Sequence, residues 1–157
     1  MKLSCYQANG FYPLTNVAPG GLKQYPAAAV NIVKGDYIIA DGSGYATNTA
    51  VAVQTLALGI AAENCNNSAG SAGDLNVLVI PLQEHIQFSV PVAANALITR
   101  AIVGDTVDLE ANDDIDISDV TIEPGLKGFM IDDIDASAEA VAANTYGYAI
   151  GHFEVEE

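Results

Sequence analysis

The sequence predicts a mainly-β fold, and three observations carry that expectation. Turn signals recur immediately ahead of β-forming runs. Val33-Lys34-Gly35-Asp36 precedes Tyr37-Ile38-Ile39-Ala40, Ile102-Val103-Gly104-Asp105 precedes Thr106-Val107-Asp108-Leu109, and Gly73-Asp74 precedes Leu75-Asn76-Val77. In each, Gly supplies a positive φ and the Asp carboxylate can accept backbone N–H groups. Half the residues are hydrophobic, yet Ala and Val supply much of that and Trp is absent, which suits thin β-layers better than a thick aromatic core. The best helical signal is at residues 136–144, where Ser137 can act as N-cap to an Ala-rich stretch. The three Gly-Asp turns are unequally spaced and differently flanked, so they read as recurring turn chemistry and not as an internal repeat.

Taken in order, residues 1–30 read as an extended N-terminal arm, and residues 31–157 as the β-rich domain. Asn9-Gly10, Pro13, Pro19-Gly20-Gly21 and Pro26 break the arm every few residues. Aromatic and apolar residues stand between the breaks. Such a segment either covers its own core or docks on a neighbour, since aromatic anchors are characteristic of interfaces. Phe11, Tyr12, Pro13, Leu14, Tyr25 and Pro26 are the candidate interface residues. Residues 31–45 read as strand, turn, strand, with Asp41-Gly42 as a hairpin signal. Residues 46–57 read as a loop leading into a strand that ends near Glu63. Residues 64–73 (NCNNSAGSAG) read as a mobile surface loop. Residues 74–81 and 84–91 read as strands, and in the second Ile86, Phe88 and Val90 alternate with an outward His85, Gln87 and Ser89. Residues 92–99 read as a helical turn or link, and residues 146–155 as the closing strand.

Charge narrows the partners. Twenty acids against five bases give a formal net charge of −15. Phosphate backbones require clustered Lys and Arg, so nucleic acid is not expected as a partner. Anionic membranes are disfavoured for the same reason. The N-terminus lacks the apolar core of a signal peptide, and no run is long enough for a membrane helix. Synthesis in the cytoplasm, without export by a signal-peptide route, is the expectation. Cys5 and Cys65 allow one disulfide on count alone, and they read rather as two free thiols in a reducing compartment, because a chain of this size does not need a staple.

No constellation of catalytic residues stands out. Ser43 lies between adjacent glycines and not in a Gly-x-Ser-x-Gly elbow. His85 and His152 have no partner at ligand spacing. The acids of residues 105–123 approach an EF-hand pattern through Asn112, Asp114, Asp116, Ser118 and Glu123. Ile117 stands where the sharp turn needs Gly, and the first position is Asn. Asp114 and Asp116 are the remaining metal candidates, and they read equally as acids on an exposed edge strand. The expectation is a protein that is not an enzyme and carries no cofactor or metal.

The run from Lys34-Gly35-Asp36 through Tyr37-Ile38-Ile39-Ala40-Asp41-Gly42-Ser43-Gly44-Tyr45, followed by Leu58-Gly59-Ile60-Ala61-Ala62-Glu63 and Val103-Gly104-Asp105-Thr106-Val107-Asp108-Leu109, resembles the capsid decoration (cement, or head-stabilisation) proteins of tailed bacteriophages. That resemblance implies a compact β-barrel or β-tulip-like domain with an extended N-terminal arm and at most one short helix. It implies a homotrimer on the outer surface of the virion capsid, made in the host cytoplasm, that bridges adjacent subunits of the major capsid protein. Removing residues 1–26 should then leave a folded domain with poor shell affinity. A fibre, spike or calcium-dependent sugar-binding module and a small hydrolase are the competing readings.

Overall fold

In the computed structural model, which describes residues 10–49, 56–93, 97–119 and 128–154, the Gly-Asp turns do start strands. Gly35 has φ +98° and Gly104 φ +99°, a backbone shape that disfavours a side chain. Asp36 accepts the Val33 N–H at 2.9 Å, which closes the first turn. The strands in chain order are β1 (Tyr12–Pro13), β2 (Lys23–Pro26), β3 (Asn31–Ile32), β4 (Tyr37–Ala40), β5 (Ala46–Thr47), β6 (Leu56–Ala61), β7 (Cys65–Asn66), β8 (Asn76–Pro81), β9 (Phe88–Pro91), β10 (Thr106–Ala111), β11 (Asp114–Asp116), β12 (Phe129–Asp135) and β13 (Tyr148–Phe153). One helix, α1 (Ala138–Ala143), lies between the last two strands, and the Ser137 hydroxyl caps it by accepting the Ala140 N–H. The fold is mainly β, as the sequence predicts.

Two antiparallel sheets carry the structure. One has six strands in the order β1-β9-β13-β12-β10-β11, the other five in the order β2-β8-β6-β4-β5. A small ribbon pairs β3 with β7. Both sheets curl and are closed by single parallel bridges, Ala27 to Ala46 between the ends of the five-stranded sheet, and Val92 to Ile115 from the residue after β9 to β11 in the six-stranded one. Side chains alternate across each strand, so the five-stranded sheet feeds two cores. Tyr37, Ile39, Ile60 and Ile80 join the large core with the inward residues of the six-stranded sheet. Ile38, Ala61, Val77 and Val79 face the other way, into a small core completed by Ala27 and Ala46. Burial on both faces explains why β4 reads as an unbroken apolar run.

Several expectations are corrected. No gap in packing marks a boundary at residue 30, because the described part of the arm supplies β1 to one sheet and β2 to the other. Residues 46–47 form β5, where a loop was expected. The loop at 64–73 contains β7 and is pinned by Asn67, whose buried side-chain amide donates to the carbonyls of Ala27, Ala28 and Ser71. Only residues 88–91 of the expected strand at 84–91 are extended in a sheet. Ser89, expected outward, is buried, since its register partners Tyr12 and Ile150 flank it and α1 covers that face. Val92 and Ala93 extend β9 to the bridge with β11, at the start of the stretch expected to be a helical turn or a link. The first cysteine, Cys5, and Glu123 of the acid cluster lie outside the described residues.

Candidate interaction surface

The segment from Phe11 to Leu22 crosses between the two sheets and divides its residues between the core and the surface. Phe11 is fully buried at the centre of an aromatic cluster. Its ring centroid lies 5.1 Å from that of Phe153, 5.6 Å from Phe129, 6.2 Å from Phe88 and 6.3 Å from Tyr37. Edge-on and tilted rings at such spacings add to the gain from burial. The candidate interface residue Phe11 is therefore committed to the chain's own core. Tyr12, Pro13 and Leu14 follow it half-buried. They are held by the Leu14 N–H donating to the Gln87 carbonyl at 2.7 Å and by Thr15 Oγ1 accepting the Gln87 N–H at 3.0 Å. Beside them runs an open groove of about 220 Å³, lined by Phe11, Val17, Leu22, Lys34, Ala62 and Ile80 among others.

The second part of the candidate surface is the edge strand β2. Tyr25 is half-buried against the small core, and Pro26 is exposed. Leu75 stands next to them, since the Ala27 N–H donates to the Leu75 carbonyl, and it is 46% exposed. Pro26 has no N–H to offer a pairing strand at this end of β2. Tyr12 and Pro13 edge one sheet while Tyr25 and Pro26 edge the other.

The carboxylates serve mostly as turn holders. Asp41 Oδ1 accepts the N–H groups of Ser43 and Tyr45, both at 2.8 Å. Asp74 accepts the Ser71 N–H, and Asp116 accepts both the N–H and the hydroxyl of Ser118. The metal candidates Asp114 and Asp116 flank the buried Ile115 on β11, which is a strand as the pattern of acids suggested. Among the described residues, no three His, Cys, Asp or Glu side chains are grouped to hold a metal ion.

One polar constellation was missed by sequence reasoning. His152 Nδ1 lies 2.9 Å from Asp132 Oδ2, and Gln87 Nε2 donates to the same oxygen at 3.2 Å. The three residues come from β13, β12 and the approach to β9, and only their strand pairing unites them. His85, by contrast, is exposed, and its carbonyl accepts the Thr15 hydroxyl at 3.4 Å.

Among the described residues, Asp133 and Cys65 have displaced proton affinities. The Ile134 N–H, and then the Arg100 guanidinium at 3.0 Å, hold the Asp133 carboxyl below the ordinary carboxylate range. A lowered folded value means the group's stabilisation is present above the unfolded value of about 3.9 and is lost as pH falls through the folded one. Asp133→Asn should therefore flatten the loss of stability between about pH 5 and pH 2, read by urea unfolding across that range. Arg100→Ala should cost no more than ~1 kcal/mol, because the guanidinium is largely in water. Burial, followed by the Glu63 carboxylate, pushes the Cys65 thiol up. In a Cys5→Ser background, iodoacetamide at neutral pH should label Cys65 only after denaturant is added. Rapid labelling of the native chain would contradict its buried position.

Compared with family models, with curated proteins and with solved structures, the chain matched none.

Proposed function

We propose that this chain is a structural protein of a bacteriophage virion, which attaches to the outer surface of the capsid as a homotrimer and bridges adjacent subunits of the major capsid protein. One observation carries the reading. The half-buried Tyr12, Pro13 and Tyr25 and the exposed Pro26 of the N-terminal segment lie on the edges of both sheets, backed by a core that the same segment locks in place. Aromatic anchors on a rigid support lose little freedom on docking, which favours adhesion. The chain's excess of acids keeps it soluble at high copy number. A charge of −15 per chain also makes close packing of copies dependent on screening over about 10 Å.

The test is co-sedimentation with expanded, empty shells of the phage that encodes the chain, alongside light scattering of the free protein. The native chain should saturate the shells at a fixed ratio and raise their melting temperature, with EDTA making no difference. A Tyr12→Ser, Tyr25→Ser double variant should bind at least ~10-fold more weakly while keeping its own cooperative melt. Absence of shell binding by the native chain would overturn the reading. Undiminished binding by the double variant would remove the segment from the contact.

A further inference from the structure

The two curled sheets have the same connectivity. In the first, residues 23–81, the strands in chain order are β2, β4, β5, β6 and β8; in the second, residues 88–153, they are β9, β10, β11, β12 and β13. In space both run first, fifth, fourth, second, third. Every neighbour is antiparallel, and each sheet closes by a parallel bridge from the residue after the first strand to the third strand.

The correspondence holds bond by bond. After the first strand, the Ala28 N–H donates to Ala46 at 2.8 Å, and the Ala93 N–H to Ile115 at 2.9 Å. At the turn before the second strand, the Gly35 N–H donates to Ala61 and the Ala61 N–H to Asp36. In the other sheet the Gly104 N–H donates to Ile131 and the Ile131 N–H to Asp105. Tyr37 pairs with Ile60 and Ile38 with Gly59, as Thr106 pairs with Met130 and Val107 with Phe129. Pro26 and Pro91 end the two first strands. Packing has also been exchanged between equivalent positions. A Cβ on Gly59 would lie 2.6 Å from Val79, and one on Gly151 would lie 2.9 Å from the Phe129 ring. Gly59 corresponds to Phe129, and Val79 to Gly151, so each sheet has one large and one small residue at that crossing, in opposite places.

We propose that residues 23–81 and 88–153 are two copies of one five-stranded unit, and that the concave face of this unit is a docking surface for the convex face of a second copy. The occupant is visible within the chain. The convex face of the first unit, with Tyr37, Ile39, Ile60 and Ile80, packs in one core with Phe88, Phe129 and Phe153 of the second. Phe11 is the wedge between them. The two outer ends are altered so that the stack stops at two. On the convex face of the second unit, Thr106, Asp108, Met130 and His152 stand where the first has Tyr37, Ile39, Ile60 and Ile80. On the concave rim of the first unit, Lys23, Gly59 and Pro81 stand in place of the three phenylalanines. Three of those four residues on the second unit are polar, and none belongs to the large core, although Asp108 is itself buried; terminal units of stacked arrays carry outer faces of this polar kind.

Cutting the full chain tests this. A specific protease site is inserted between the exposed Gln83 and Glu84, and in a second version between the exposed Ala69 and Gly70. The first cut falls between units, and the second severs β8 from its own unit. The pieces are separated in urea and remixed in equal amounts. Pieces from the first cut should co-elute and recover the native circular dichroism and melt, while recovery after the second cut should be several-fold lower. Equal or better recovery after the second cut would overturn the assignment of units. Failure of the first pair to associate would overturn the docking surface.

Discussion

Phe11→Ala is expected to destabilise the protein by about 3–5 kcal/mol, which for a chain of this size lowers the melting temperature by roughly 10 °C. The ring is fully buried and touches aromatic residues from both sheets, so its removal leaves a cavity that neither sheet can close alone. Tyr12→Ala, one residue on and half-buried, should cost much less. Urea unfolding of the two variants measures the difference. Equal, small losses would mean that Phe11 does not bind the sheets together. The same geometry reverses an expectation drawn from sequence. Deleting residues 1–26 removes Phe11, β1 and β2 together, so the truncated chain should fail to give a cooperative melt, instead of remaining folded with weak shell affinity.

Local chemistry was legible where it is local. The Gly-Asp turns, the Asp41-Gly42 hairpin and the Ser137 cap need only neighbouring residues, and each stands where the sequence placed it. Contacts between distant segments were not legible. Asn67 looked like part of a polar loop because the carbonyls it binds belong to residues 27 and 28, far away in sequence. Ser89 looked outward because alternation gives two faces and does not say that a helix covers the second. The His152–Asp132–Gln87 constellation requires the register of three strands. The repeated unit was half visible. Val33-Lys34-Gly35-Asp36 and Ile102-Val103-Gly104-Asp105 occupy equivalent turns, but the connections differ in length and the facing residues have diverged, since one convex face packs in the large core and the other stands outside it. Of the candidate interface residues, composition could not tell which aromatic turns inward, and Phe11 is the one that does.

Gly151→Ala is the second large effect expected. Gly151 sits in β13 between β9 and β12, paired with Phe88 on one side and Ile131 on the other. A Cβ there would lie 1.9 Å from the Met130 carbonyl oxygen and 2.9 Å from the Phe129 ring. The ring can give a little, but the carbonyl belongs to the backbone of a neighbouring strand and cannot move without parting the ladder. The cost should reach ~3 kcal/mol, the upper end for overpacking by a single methyl. Gly104→Ala offers the contrast. Its Cβ would meet open space, so it should suffer only the strain of φ +99°, of order 1 kcal/mol. Parallel denaturant curves should therefore rank Gly151→Ala well below Gly104→Ala in midpoint. If the order is reversed, backbone conformation and not the close approach of β12 is what requires glycine here. Phe129→Ala in the Gly151→Ala background then separates the two clashes. Measured against Phe129→Ala alone, which already lacks the buried ring, a vanishing cost of Gly151→Ala would assign the clash to the ring, and a cost that persists would assign it to the Met130 carbonyl, which both variants leave in place.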